Sequence, residues 1–219
     1  MKYLIFDSGS IITLAMNSLL DVLRNLKKGF QGKFLITEQV KYECIDHPSK
    51  IKKYELGALQ IKELLEEGIL ELPDKNLRAQ IQKKTQEFLN KANHTYSSQG
   101  QWIQILDEGE ASCLALSSLL QGNKMIVVDE RTTRMLVENP ENLHKLYEEK
   151  FHTKIKAEEN NYSFFENNKL MRSCELVFIA YKKGLIKLPA NNLLDALLYA
   201  TKFKGASISK EEIEAMERM

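Results

Sequence analysis

Met1–Ser10 reads MKYLIFDSGS, and its first half is the plainest buried strand in the chain. Tyr3, Leu4, Ile5 and Phe6 are apolar without alternation, as in a strand covered on both faces. The run then meets Asp7, Ser8, Gly9 and Ser10. A carboxylate at the end of a buried strand is costly unless a donor pairs with it or a cation takes it up. Two more apolar runs follow, Phe34–Ile36 and Met125–Val128, the second again ending on an acid, Asp129. Helical spacing fills the intervals, over about Ile11 to Lys27, Thr37 to Ile45 and Asp107 to Leu120. Continuous apolar strands alternating with helices predict an α/β fold with a central parallel sheet. The expected architecture is a three-layer α/β/α sandwich with additional C-terminal helices.

In this reading, residues 1–150 form the sandwich domain, interrupted by charged helices inserted at about 49–106. Residues 151–168 are polar and irregular, with Asn160, Asn161, Asn167 and Asn168 clustered. Two apolar helices are then predicted over 172–204, joined across Gly184 and Pro189, so 151–219 reads as a helical extension. Among 219 residues, 31 basic and 30 acidic side chains nearly cancel, which excludes a strong global field for polyanions but leaves room for a local groove. Cys44, Cys113 and Cys174 are odd in number and far apart, which predicts reduced thiols. Scattered histidines and the lack of any Cys-x-x-Cys argue against zinc. No stretch reaches the length of a membrane span, so a soluble, cytoplasmic protein with no membrane partner is expected.

Open parallel sheets bind ligands beyond the carboxyl ends of their strands. Asp7 and Asp129 therefore mark one edge as the place for a site. Two helices bring further acids: Glu43 in ITEQVKYECIDHP, and Glu110 in DEGEASCLALSSLL, where Ala111, Ser112 and Ala115 allow close approach to the sheet. Two unit charges about 4 Å apart repel by roughly 4 kcal/mol at an effective dielectric near 20. Several such pairs would exceed the ~5–15 kcal/mol net stability of a domain, so a four-acid cluster must take up protons or cations. A ligand set made only of oxygen favours Mg²⁺ or Mn²⁺. Ser8 is placed to hold a carboxylate or a water beside Asp7. Each acid also has a plainer reading: Asp7 and Asp129 as helix N-caps, Glu110 with Asp107 and Glu108 as partners of a helix dipole, Glu43 as a surface residue. Glu130 reads as solvated or as a fifth acid, Arg131 and Arg134 as surface or salt-bridging groups, and His94, Tyr96 and Trp102 as anchors of a loop.

Taken in order, LIFDSGSIITLA, TEQVKYE, GEASCLALS and VVDERTTRM resemble the motifs of the PIN-domain family of metal-dependent nucleases. The resemblance covers about residues 1–138. It implies the parallel α/β/α sandwich, catalytic acids at Asp7, Glu43, Glu110 and Asp129, and Mg²⁺ or Mn²⁺ held by Asp7, Glu110 and Asp129. It further implies cleavage of single-stranded or structured RNA by a metal-dependent endoribonuclease, frequent homodimers, and in many members a toxin role with an antitoxin protein as partner. The inserted helices and the long tail depart from the shorter toxin members. The alternative expectation is a non-catalytic PIN-like scaffold that binds RNA or protein.

Overall fold

The computed structural model describes all of residues 1–219. Strand β1 (Lys2–Phe6) leads into α1 (Ser8–Met16) and α2 (Leu20–Gly29), then β2 (Lys33–Leu35) and the short α3 (Glu38–Lys41). Helices α4 (Glu55–Glu66) and α5 (Lys75–Asn93) precede a hairpin of β3 (Tyr96–Ser98) and β4 (Gln101–Trp102). Next come α6 (Glu108–Leu119), β5 (Asn123–Val127), α7 (Arg131–Glu138), α8 (Pro140–Phe151) and β6 (Lys156–Ala157). The chain finishes with β7 (Leu170–Met171), α9 (Ser173–Lys182), α10 (Leu193–Lys202) and α11 (Lys210–Arg218).

The main sheet is all parallel, in the order β2-β1-β5-β7. Ile5, Phe6, Ile126 and Val127 are buried, as strands covered on both faces require. From β1 the chain crosses to β2 on one side, then returns past β1 to β5 on the other. Right-handed crossovers therefore send α1 and α2 to one face and α6 to the opposite face. Both β1 and β5 end at this reversal, the crevice where α/β sheets hold ligands. The α/β sandwich expected from the sequence is thus the observed fold.

Several local details differ from the sequence reading. The single helix expected over Ile11–Lys27 is two, because Asn17 caps α1 and Ser18 takes a left-handed φ of 56°. The Asn17 amide donates to Thr13 O (2.8 Å) and to Ala200 O (3.2 Å), so the break also ties α1 to α10. The polar stretch read as a loop near residues 93–100 contains β3, which pairs antiparallel with β4 and β6 in a second small sheet. Tyr96 is fully buried there, its hydroxyl donating to Pro140 O (2.6 Å). No break in packing falls near residue 150. Ile155, Phe165, Leu176, Val177, Leu193 and Leu197 belong to the same core as Ile5 and Phe6, and β7 is a strand of the main sheet. No helix is long and apolar enough to cross a membrane.

Gly32 sets the approach of the α2–β2 turn to β1. A Cβ at this position would collide with the Lys2 carbonyl and lie 2.6 Å from the Phe30 ring. Backbone cannot give way as a flexible side chain would. Gly32→Ala is expected to destabilise the fold by about 1–3 kcal/mol, read as a lower urea midpoint at unchanged m-value. An unchanged midpoint would show that the β1–β2 contact is looser than described.

Candidate functional site

At the carboxyl edge of the main sheet lies a cleft of about 520 Å³, lined by Asp7, Asp107, Glu110, Asp129 and Glu130. One basic side chain lines it, Lys204. Asp7 arrives directly from β1, and its backbone N–H still bonds to Val127 O (3.0 Å), extending the sheet ladder by one residue. Its Oδ2 accepts from the Gly9 N–H (3.1 Å), so Asp7 caps α1 as the plainer reading expected. The other oxygen, Oδ1, is buried with no hydrogen-bond partner. A cap needs only one oxygen. The second remains unexplained by folding alone.

Glu110 sits in the first turn of α6, in a reciprocal capping box with Asp107. The Asp107 N–H donates to Glu110 Oε2 (2.9 Å), and the Glu110 N–H to Asp107 Oδ1 (2.8 Å). Thr133 of α7 donates its hydroxyl to Glu110 Oε1 (2.5 Å). Asp129 follows β5 by one residue after Val128, but it is not the cap of α7; Glu130 is, accepting from the Thr132 N–H (3.3 Å). Asp129 instead receives two bonds from the start of α9, the Ser173 N–H to Oδ1 (2.8 Å) and the Ser173 hydroxyl to Oδ2 (2.7 Å).

Glu43 stands apart from the cleft lining. The helix that begins at α3 widens into a π-helical turn over Tyr42–Asp46, which carries Glu43. Its carboxylate accepts from the Gln39 amide (2.8 Å) and rests over Gly109, where a Cβ would come within 2.5 Å of Oε2. The small residue before Glu110 thus makes room for a second acid. Ser8 lines the cleft beside Asp7, and its hydroxyl, with the Gln39 amide, opposes the larger upward push of burial on the Glu43 pKa. The structure therefore brings Asp7, Glu110 and Asp129 to one cleft, with Glu43 behind Gly109. Arg134 turns away, to Glu138 (3.4 Å) and the Ser207 carbonyl.

Electrostatics follow from this geometry. Burial holds Asp7 well above the ordinary carboxylate range, reinforced by Glu110, Asp107 and Glu43, against the Gly9 bond. Burial, then Asp107, pushes Glu110 up to about 7, against the bonds from Thr133 and the Asp107 backbone. Glu43 is raised by burial, with Asp107 and Glu108 adding to it. Acids raised together in one cleft are a recognised mark of a functional site. The side chains as they stand form no ready-made group of three or more metal ligands. Glu110 and Asp129 accept from protein donors, yet every carboxylate oxygen keeps a second lone pair, and ligating carboxylates are commonly oriented by such bonds. The unpartnered Asp7 oxygen, the raised acids and the all-oxygen donors fit a hard divalent cation.

Asp107 lines the cleft although the sequence reading gave it a helix-end role, and Glu130, read as solvated or as a fifth acid, lines it too. The Asp107–Glu110 spacing of a capping box was the available signal. Ser173 and Lys204 carried none, being 44 and 75 residues downstream of Asp129. They arrive because the tail folds back: Thr13 Oγ1 donates to Lys204 O (3.2 Å), and the Ser207 N–H to Asp129 O (3.4 Å). No protein-family model, curated protein or solved structure matches the chain.

Raised carboxylate pKa values have a definite consequence for stability. Between the ordinary 4.5 and about 7, Glu110 holds its proton in the folded chain and not in the unfolded one. Stability contributed by that proton is complete below 4.5 and lost as pH rises through about 7. Glu67, Glu71 and Glu212, whose pKa values are lowered, act only in the more acid range. With chelator present, stability is expected to fall by roughly 1–3 kcal/mol across the higher interval, and Mn²⁺ to restore it. Asp7→Asn, which removes a buried charge, is expected to raise the unfolding midpoint above neutral pH and to abolish the Mn²⁺ effect. Urea melts over a pH series check both; a flat wild-type profile indifferent to Mn²⁺ would sink the account.

Proposed function

We propose that the protein is a PIN-like endoribonuclease that hydrolyses phosphodiester bonds of single-stranded or structured RNA with Mg²⁺ or Mn²⁺. The observation that carries this reading is the Asp7 carboxylate, buried with one oxygen unpartnered beside a cleft shared with Glu110 and Asp129. Asp7, Glu110 and Asp129 would hold the cation, with Glu43 adding negative charge from behind Gly109. A divalent cation bound there supplies an activated water and neutralises charge building on the phosphate. The remaining work belongs to the chain. Gly9, Thr133 and Ser173 fix the three carboxylates by hydrogen bonds, so little reorganisation is left for the reaction. Lys204, exposed on the cleft wall, meets the phosphate of an entering strand. The four motifs that resemble the PIN family support the same reading. With it go a homodimer, work in the cytoplasm, and, where a small neighbouring gene encodes one, an antitoxin partner.

Cleavage of a labelled single-stranded RNA in Mn²⁺ tests the proposal. Wild type is expected to cut, and Asp7→Asn and Asp129→Asn to lower kcat/KM by about a hundredfold or more. Gly109→Ala, which drives a Cβ into the Glu43 carboxylate, is expected to lower kcat. Lys204→Ala is expected to raise KM with kcat nearly unchanged. RNA that binds but stays whole in every divalent cation would replace the nuclease with the non-catalytic scaffold.

A further inference from the structure

A second and larger cavity, of about 1190 Å³, opens at the amino-terminal edge of the main sheet, the edge opposite the acids. Its floor is the start of β1 and β5 with the end of β7, and its walls are α2 and α9. Leu4 is in register with both Phe34 and Met125, so these side chains share one face of the sheet. Leu26 of α2 and Leu176 and Ile179 of α9 continue the apolar surface. The Asn25 amide donates to Leu185 O (3.1 Å), tying α2 to the loop after α9.

The rim is charged with one sign. Lys2, Lys28, Lys169, Lys183 and Lys187 surround the opening, all exposed, and none makes an ion pair. A sixth lysine, Lys124, is committed to the carbonyls of Ser117 and Leu120 at the end of α6. No carboxylate lines the cavity, in a chain where acids and bases are almost equal in number. Clustered like charges repel, and an anion among them relieves that repulsion. Lysine stems lie readily along apolar surface with their ammonium groups in water, which places the charges at the mouth.

We propose that this cleft binds a single-chain anionic amphiphile, its aliphatic tail on the sheet floor and its carboxylate or phosphate head among the lysines. The lining favours a flexible chain over a nucleobase. Of its apolar residues, Tyr3 and Phe30 are aromatic and the other seven are leucine, isoleucine or methionine, and methionine adapts to irregular aliphatic shapes. Asn25 spends its amide on Leu185 O, while Asn123 and Asn167 are exposed, so no buried polar group is offered to a base edge. This site is independent of the nuclease reading, since it shares no residue with the acid cleft.

Calorimetric titration of the full chain with sodium laurate, kept below its critical micelle concentration, tests the proposal, with dodecyltrimethylammonium as a cation of equal chain length. Laurate is expected to saturate at one per chain, and the cation to bind at least about tenfold more weakly, a difference of about 1.4 kcal/mol. Lys169→Glu with Lys183→Glu, both exposed positions, is expected to weaken laurate by about tenfold or more at an unchanged circular dichroism spectrum. Ile179→Trp, which fills the cavity from its α9 wall, is expected to abolish binding; should that variant fail to fold, the lysine pair decides. Equal affinity for the two surfactants, laurate binding indifferent to the lysine reversal, or unsaturable uptake would overturn the proposal. So would displacement of laurate by a single-stranded RNA, which would make the rim a polyanion surface.

Discussion

Asp7 Oδ1 is buried against the end of a parallel strand without a single donor, and much of the surrounding structure is arranged around that carboxylate. Its partner oxygen is held by the first turn of α1. Two buried thiols back the same strand end, Cys44 donating to Ser8 O (3.7 Å) and Cys113 to Phe6 O (3.6 Å). Burial pushes both thiols up, and the neighbouring Asp7 charge pushes them further, so they serve as small apolar fillers and not as nucleophiles. On the open side stand more acids, where cations or donors would ordinarily be expected. Carboxylates buried together in this way ionise only at a cost that protons or a cation would relieve.

The second fixed point is Asp129. Its carboxylate receives both the backbone and side-chain donors of Ser173, and its carbonyl receives the Ser207 N–H. Arg172, next in the chain, bridges Glu175 and Glu212 (2.8 Å each) and also donates to Ser207 O (2.9 Å). These bonds clamp α9, the tail and α11 onto the end of β5. The tail is therefore part of the wall of the acid cleft, which is how Lys204 comes to face five carboxylates.

The apolar strands, the acids at their ends and the α6 motif were legible in the sequence because they are local signals. Continuous Leu, Ile, Val and Phe runs allow few structures other than a doubly covered strand. Three of the four acids read as a cluster do line one cleft; Glu43, carried on a π-helical turn that periodicity does not reveal, lies behind Gly109. The Asn17–Ser18 break was hidden for another reason. Leu14, Leu19, Leu20 and Leu23 keep helical spacing across it, while the amide bond to Ala200 that fixes it comes from far along the chain. β7 is two residues long and follows a polar stretch, so nothing local marked it as a strand of the main sheet. What escaped the sequence was settled by long-range contacts, and the plainer readings also held in part, since Asp7 does cap its helix.

β5 and its latch are separated by 44 residues of chain. A ribosome adding about 5–20 residues per second needs on the order of 2–9 s to cover that distance. Throughout this interval β1, β2 and β5 can already pair, but Asp129 has no Ser173, the sheet has no fourth strand, and the cleft lacks the wall that carries Lys204. The order of synthesis thus leaves the acid edge unfinished until nearly the whole chain has emerged. For a protein proposed to act on RNA, the unfinished period coincides with its attachment to the RNA machine that makes it.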